Sequence, residues 1–290
     1  MDIWHVEKKF TQYLIYARPY SWINAILLTL LGQLIGRGTI RLDRFMLLDV
    51  ILAVLTWSAC MYLLEYFHKD VDYRTNPPLT PSLFLYLIVI SLVILYRDPR
   101  AIIYLLAICI IVSLYAQKSI NKYIGSFSFL IRGLADIFAI LFIASSYGFP
   151  ISNLESNHIK ILVSLYLVTS ARNLVGDIRD ISRDKYTFPK LHGVNTSFLI
   201  CLVLLFVSIL TLGKINGIIL VLILSLMMLK SRPYQLHRIF VLLSSLYIGA
   251  LILEITATVG EMLLSLIALS ILLNTTYELV PRNTRKRPDN

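Results

Sequence analysis

The sequence predicts an all-α, polytopic membrane protein of about nine to ten transmembrane helices, and three observations carry that prediction. Of the 290 residues, 57% are hydrophobic and only 15% are charged, where a soluble domain carries about 25% charged residues. Mean hydropathy is +0.74. The apolar residues are also grouped, in runs near 22–36, 45–67, 82–96, 101–116, 127–148, 159–176, 196–212, 215–229, 239–257 and 260–279, with short polar stretches between them.

The first run follows a mixed and charged stretch, Met1 to Tyr20, which has no apolar core leading into small residues. It reads as a membrane helix rather than a cleavable signal. Several later runs are shorter than the roughly 20 residues a perpendicular span needs, so their helices are expected to extend into flanking polar residues. At the last run, Gly260 and Glu261 leave two readings open, a turn between two spans or a break in one long helix. Cys60, Cys109 and Cys201 all fall inside apolar runs, are odd in number and lack metal-ligand spacing, and read as small buried hydrophobes.

Orientation follows from the basic residues. With the N-terminus cytoplasmic, nineteen Lys and Arg residues fall on the inner side and seven on the outer side. That bias puts the N-terminus and the loops after the second and sixth runs in the cytoplasm, in a multi-pass protein of the cell membrane. The formal charge of +10 is then a matter of topology and of attraction to anionic membrane lipid, with no nucleic-acid partner implied. The basic tail at 280–290 reads as a cytoplasmic anchor on that lipid.

Two segments carry the same acidic signature. The first is Glu65-x-x-His68-x-x-x-Asp72-x-x-Thr75-x-Pro77 and the second Asp177-x-x-Asp180-x-x-x-Asp184-x-x-Thr187-x-Pro189, each position of the second lying 112 residues after its counterpart. A constant offset at five positions indicates an internal repeat within one membrane domain, with halves near 18–120 and 121–235 and extra C-terminal helices near 238–279. On a helix, positions i, i+3 and i+7 fall within roughly 80° of one face. Carboxylates so placed repel one another and are costly at membrane depth, about 2.5–3.5 kcal/mol each. Cations relieve both penalties, and an all-oxygen donor set suits Mg²⁺, which is commonly shared between carboxylates and a phosphate. Arg172, Arg179, Arg183 and Lys185 flank the second segment, and Lys69 and Arg74 the first, as an anionic ligand would require. A solvated helix boundary explains any single aspartate here; it does not explain the repeated Thr and Pro.

The second segment, Asn173-Leu-Val-Gly-Asp177-Ile-Arg-Asp180-Ile-Ser-Arg-Asp184-Lys-Tyr-Thr187-Phe-Pro189, resembles the second aspartate-rich motif of the UbiA superfamily of intramembrane prenyltransferases. Arg18-Pro19, Asn76-Pro77-Pro78-Leu79 and Tyr115-x-x-Lys118 are similar to further pieces of that family, and the likeness runs in span order from Arg18 to about Leu253. The resemblance implies about nine helices around a central cavity open to lipid, capped from the cytoplasm by the two motifs. It implies an isoprenyl diphosphate bound through Mg²⁺ on Asp177, Asp180, Asp184, Glu65 and Asp72, with Lys118 and the three aspartates of the second motif in the catalytic set. Arg18, Tyr115, Asn173, Arg179, Lys185, Arg74 and Arg132 are then the expected substrate contacts. A lipophilic acceptor, an aromatic quinone precursor or an ether-lipid alcohol, would receive the prenyl group.

The first motif departs from the family pattern. Leu64 and His68 stand where the pattern has Asn and Asp, leaving Glu65 and Asp72 as the oxygen ligands. Asp70, five residues after Glu65, points about 140° away on a continuous helix. The departure keeps a second outcome open at this stage: a cyclase, a prenyl diphosphate hydrolase or a non-catalytic isoprenoid binder on the same fold. A transporter is the third class, weighed against by the absence of a matching pair of Gly/Pro-broken spans. Arg132 and Asp136, at i and i+4 inside the fifth run, read either as a mutually neutralising pair or as a site cation with its counter-ion. Asp49 and Glu254 have no partner that the sequence identifies.

Overall fold

The computed structural model describes residues 16–18, 21–41, 43–67, 78–118, 120–182, 184–212 and 216–256. Every regular element among them is helical, and nine long helices account for the first nine apolar runs: α1 (Trp22–Arg37), α2 (Arg44–Phe67), α3 (Thr80–Tyr96), α4 (Ile102–Ala116), α5 (Ser128–Ser146), α6 (Ser156–Arg179), α7 (Val194–Leu212), α8 (Asn216–Met228) and α9 (Pro233–Ile255). The tenth run and the basic tail lie outside the described residues. Among the described residues six spans are long and apolar enough to cross a membrane, the α4 span counting the 3₁₀ turn Pro99–Ala101 that leads into it; α1, α3 and α8 are shorter. This is a multi-pass membrane protein.

Local chemistry sets the helix ends. Asp43 Oδ1 accepts from the Met46 amide at 2.9 Å, capping the start of α2. Asp98 Oδ1 accepts from the Arg100 amide at the same distance and starts the 3₁₀ turn. Glu155 and His158 form a reciprocal capping box on α6. Pro233 occupies the first position of α9, where its missing N–H costs nothing. The helix therefore begins six residues before its apolar run, and α6 likewise begins before its run and ends beyond it.

Helix α6 is the centre of the bundle. It packs against α5, α7 and α9, and 78% of its most apolar stretch is buried, more than for any other span. On its far side α5 packs on α1 and α4, while α2 bridges α1, α3 and α4. Helices α1 and α5 touch backbone to backbone: a Cβ on Gly32 would lie 2.8 Å from the Ile140 carbonyl oxygen, and one on Gly36 would lie 2.9 Å from Ala144 Cα. The Gly32-x-x-x-Gly36 spacing leaves that groove open, the small-residue packing that membrane helices use where lipid gives no hydrophobic drive.

Helices α1, α2, α4 and α5 enclose a narrow apolar cavity of about 40 Å³, lined by Thr29, Thr56, Trp57, Cys60 and Arg132 among alanines and larger apolar side chains; that is room for about three waters. Contacts at the helix ends fix the direction of each chain. The second acidic segment, the end of α4 and the starts of α5 and α9 share one end, here the acidic end. At the opposite end a buried polar knot answers the question Asp49 posed. Its carboxylate accepts from Gln33 Nε2 at 2.6 Å and from Arg97 Nη2 at 2.6 Å, and it is bonded to the Tyr147 hydroxyl. Glu254 lies on an exposed face near the end of α9.

Candidate functional site

The acidic end assembles side chains from four elements. Asp177, on the last turn of α6, is 1% exposed. Its Oδ1 lies 2.8 Å from Lys118 Nζ and its Oδ2 lies 2.8 Å from Ser128 Oγ. Lys118 follows α4, and its ammonium also lies 2.8 Å from Asp184 Oδ2, in the loop after α6. One lysine therefore bridges two buried carboxylates. Burial works against that charge, but Asp177 and Asp184 outweigh it and raise the Lys118 pKa well above the usual lysine value. Tyr115, one turn earlier, places its ring centroid 5.2 Å from the same ammonium.

Gly125 makes this approach possible. It sits in a helical turn, Lys122–Ser126, started by Asn121. A Cβ on Gly125 would lie 2.5 Å from the carbonyl oxygens of both Lys118 and Tyr186. The backbone of the Lys118 turn and that of the loop after Asp184 thus both close on the space that a side chain at Gly125 would fill.

Asp180 is the first residue past α6. Arg179 grips it in a fork, Nε donating to Oδ1 at 2.9 Å and Nη2 to Oδ2. Burial opposes its charge, but Arg179 outweighs it, and the Asp180 carboxyl is held at about 2. The third arginine nitrogen, Nη1, lies 2.9 Å from His237 Nδ1 of α9.

A second ionic group lies one turn deeper. Asp136 of α5 meets Arg172 of α6 at 3.1 Å and Arg132 of its own helix at 3.5 Å. Arg132 lines the apolar cavity, with its guanidinium carbon 5.2 Å from the centre of the Trp57 ring. The i, i+4 pair expected from sequence is therefore a triad with two cations to one carboxylate, and Arg172, expected only as a flank of the second motif, is its other member. Asn173 sits between the two groups along α6, and its buried Nδ2 finds no partner among the described residues.

At the end of α2, Glu65 is paired with Arg18. The Arg18 backbone is left-handed, at φ +50°, and its carbonyl accepts from Ser21 Oγ at 2.7 Å. Lys185 is exposed beside Asp184. Asp72 and Arg74, with His68 and Asp70, lie outside the described residues, as does Arg183. The structure thus brings together Lys118, Tyr115, Asp177 and Asp184 in one group, Arg179 and Asp180 in a second, Arg132 with Asp136 and Arg172 in a third, and Arg18 with Glu65 in a fourth.

Among the described residues no three carboxylate, imidazole or thiol groups are arranged to hold a metal ion. The donors of the second motif are all carboxylate oxygens, which fits Mg²⁺. The point between Asp177 and Asp184 is taken by the Lys118 ammonium. Sequence reasoning did not find Ser128 or His237. Ser128 carried no signal. His237 carried one, because Pro233 four residues earlier marks a helix start that hydropathy alone misses.

No family model matches the chain, and no curated protein matches it. Solved structures do, two of them as follows. One, from a study of digeranylgeranylglyceryl phosphate synthase in membranes, is 19% identical, covers 91% of this chain and 99% of its own, and superposes with a TM-score of 0.56. The other, the apo structure of a UbiA homologue from Aeropyrum pernix K1, is 15% identical with the same coverages and a TM-score of 0.54. The chain therefore has the fold of these two structures, one of them a UbiA homologue, as the second acidic segment led one to expect.

Proposed function

We propose that this chain transfers an isoprenyl group from an isoprenyl diphosphate to a lipophilic acceptor, with its acidic end toward the cytoplasm. The observation that carries the reading is Lys118 bridging Asp177 and Asp184 at one end of a bundle that also contains an apolar cavity. In the reaction the bond between the allylic carbon and the diphosphate oxygen breaks and the oxygen keeps the electron pair. A nucleophilic atom of the acceptor then bonds to that carbon and releases its proton.

Asp177, Asp180 and Asp184, with Glu65 and Asp72 from the first segment, are the groups that would hold Mg²⁺, which when bound offsets the negative charge growing on the leaving diphosphate. Lys118 and Arg179, the cations already paired with these carboxylates, supply positive charge beside the leaving diphosphate. Arg18, Arg74, Lys185 and Arg132 supply further positive charge, and Tyr115 and Asn173 further polar contacts. The apolar cavity takes the isoprenyl chain once its side chains part, and keeps water from the allylic cation.

The test is product formation by purified protein in lipid nanodiscs, with isotope-labelled geranyl, farnesyl and geranylgeranyl diphosphates, Mg²⁺ and candidate aromatic and glycerol-ether acceptors, read by mass spectrometry. The expected result is an acceptor heavier by one prenyl group, lost in EDTA and in Asp180→Ala. Release of diphosphate with only prenyl alcohol or a cyclised hydrocarbon would replace transfer by hydrolysis or cyclisation on the same site.

A further inference from the structure

We infer that His237 is a positioning residue for Arg179 and, through it, for Asp180, so that α9, which carries neither acidic segment, completes the site. The inference rests on the proposed function for its purpose but not for its geometry. His237 enters α6 at its one bare position. A Cβ on Gly176 would lie 3.2 Å from His237 Nε2 and 3.3 Å from Cδ2, so the imidazole lies against the helix backbone itself. From there Nδ1 reaches Arg179 Nη1 at 2.9 Å.

A guanidinium has donors and no acceptor. Nδ1 must therefore accept, which leaves the imidazole neutral with its proton on Nε2. The arginine is then held on two edges. Its fork of Nε and Nη2 faces Asp180, and Nη1 is tied to a rigid helix that packs on both α6 and α1. An arginine at the last turn of a helix loses much rotamer freedom when fixed, and a second anchor spares that loss on ligand binding. His237 thus serves Asp180 as Ser128 serves Asp177: each is a neutral side chain from a neighbouring helix that fixes one ionic contact of α6. Packing alone would give His237 a volume to fill, with no requirement for an acceptor at the Nδ1 position.

The full chain in lipid nanodiscs, without substrate, provides the first readout. Phenylglyoxal labels arginine, and peptide mass spectrometry gives the rate at each site. In His237→Leu the rate at Arg179 is expected to rise about threefold to tenfold, the population effect of one lost hydrogen bond. In His237→Asn, whose side-chain oxygen falls near the Nδ1 position, the wild-type rate is expected. Arg97, buried at the opposite end, reports on folding and stays slow in both. If Arg97 also becomes reactive in His237→Leu, the decision passes to His237→Gln. Its polar end falls near Nε2 instead, so Arg179 is expected to react fast; equal, slow rates in the Asn and Gln variants overturn the inference.

The second readout is calorimetric titration with inorganic diphosphate in the presence of Mg²⁺. Binding is expected to weaken about tenfold in His237→Leu and in Arg179→Lys, with the double variant no worse than Arg179→Lys alone, the signature of one residue acting through the other. Additive losses in the double variant overturn the inference. If the wild type binds no diphosphate, the proposed function fails, and the phenylglyoxal rates still decide the role of His237.

Discussion

Lys118 Nζ lies 2.8 Å from Asp177 Oδ1, and the two side chains are only 7% and 1% exposed. With almost no water to screen or replace it, each charge depends on the other. Removing one partner of a buried pair strands the other, at a cost of about 3–5 kcal/mol. Here the loss of Lys118 strands two carboxylates, because Asp184 shares the same ammonium.

Lys118→Met is therefore expected to unfold well below the wild-type temperature in EDTA, followed by tryptophan fluorescence of the purified protein in detergent. Mg²⁺ is expected to raise the midpoint of the variant more than that of the wild type, since a divalent cation can then take the place between Asp177 and Asp184. Equal midpoints for the two proteins in EDTA would contradict the buried bridge.

Whereas Lys118 came only with the resemblance of Tyr115-x-x-Lys118 to a piece of the family, the second motif was legible in the sequence because its chemistry is written in local spacing, Asp177, Asp180 and Asp184 recurring at helical intervals. Nine helices were legible for the same reason, as runs of apolar residues. What spacing does not encode is the register between helices. Arg172 meets Asp136 from another helix, and Asp49 finds Gln33, Arg97 and Tyr147 on three separate segments. Those contacts depend on how α1, α2, α5 and α6 slide past one another, which side-chain packing decides.

Gly125→Ala is expected to lower turnover at least tenfold and to lower the unfolding midpoint as well. The added methyl would meet two backbone oxygens at 2.5 Å, and backbone cannot rotate away as a side chain can. The Lys118 turn and the Asp184 loop must separate, and misplacement of about 1 Å in a catalytic site costs on the order of a hundredfold. Gly217→Ala is the control. Nothing lies within 4 Å of a Cβ there. Its turnover is expected to match the wild type.

Tyr147 offers a pH test at the opposite end of the bundle. Burial, and after it the Asp49 carboxylate bonded to the hydroxyl, push the Tyr147 phenol up to about 12. A group whose pKa is raised on folding stabilises the fold fully below its unfolded value and loses that contribution as pH rises through the folded one. Tyr147→Phe is thus expected to be less stable by about 1–2 kcal/mol at pH 8, allowing for the screening of a half-buried group. The difference from wild type should close between pH 10, the ordinary phenol value, and pH 12. A difference that stays constant over that interval would show that the hydroxyl contributes only through its shape.

Charge balance around Asp136 gives the last prediction. Arg132 and Arg172 share this one carboxylate, so removing the carboxylate and removing one cation are not equivalent. Asp136→Asn leaves two guanidiniums facing each other inside the bundle and is expected to destabilise by about 3–5 kcal/mol. Arg132→Met leaves a balanced Arg172–Asp136 pair at 3.1 Å and a long apolar side chain against Trp57, and is expected to cost less than about 1 kcal/mol. Combining the two removes the mutual repulsion of the stranded cations, so the double variant is expected to be more stable than Asp136→Asn alone. Chemical unfolding of the four proteins in mixed micelles gives the cycle. A double variant less stable than Asp136→Asn would mean that Arg132 contributes packing rather than excess charge.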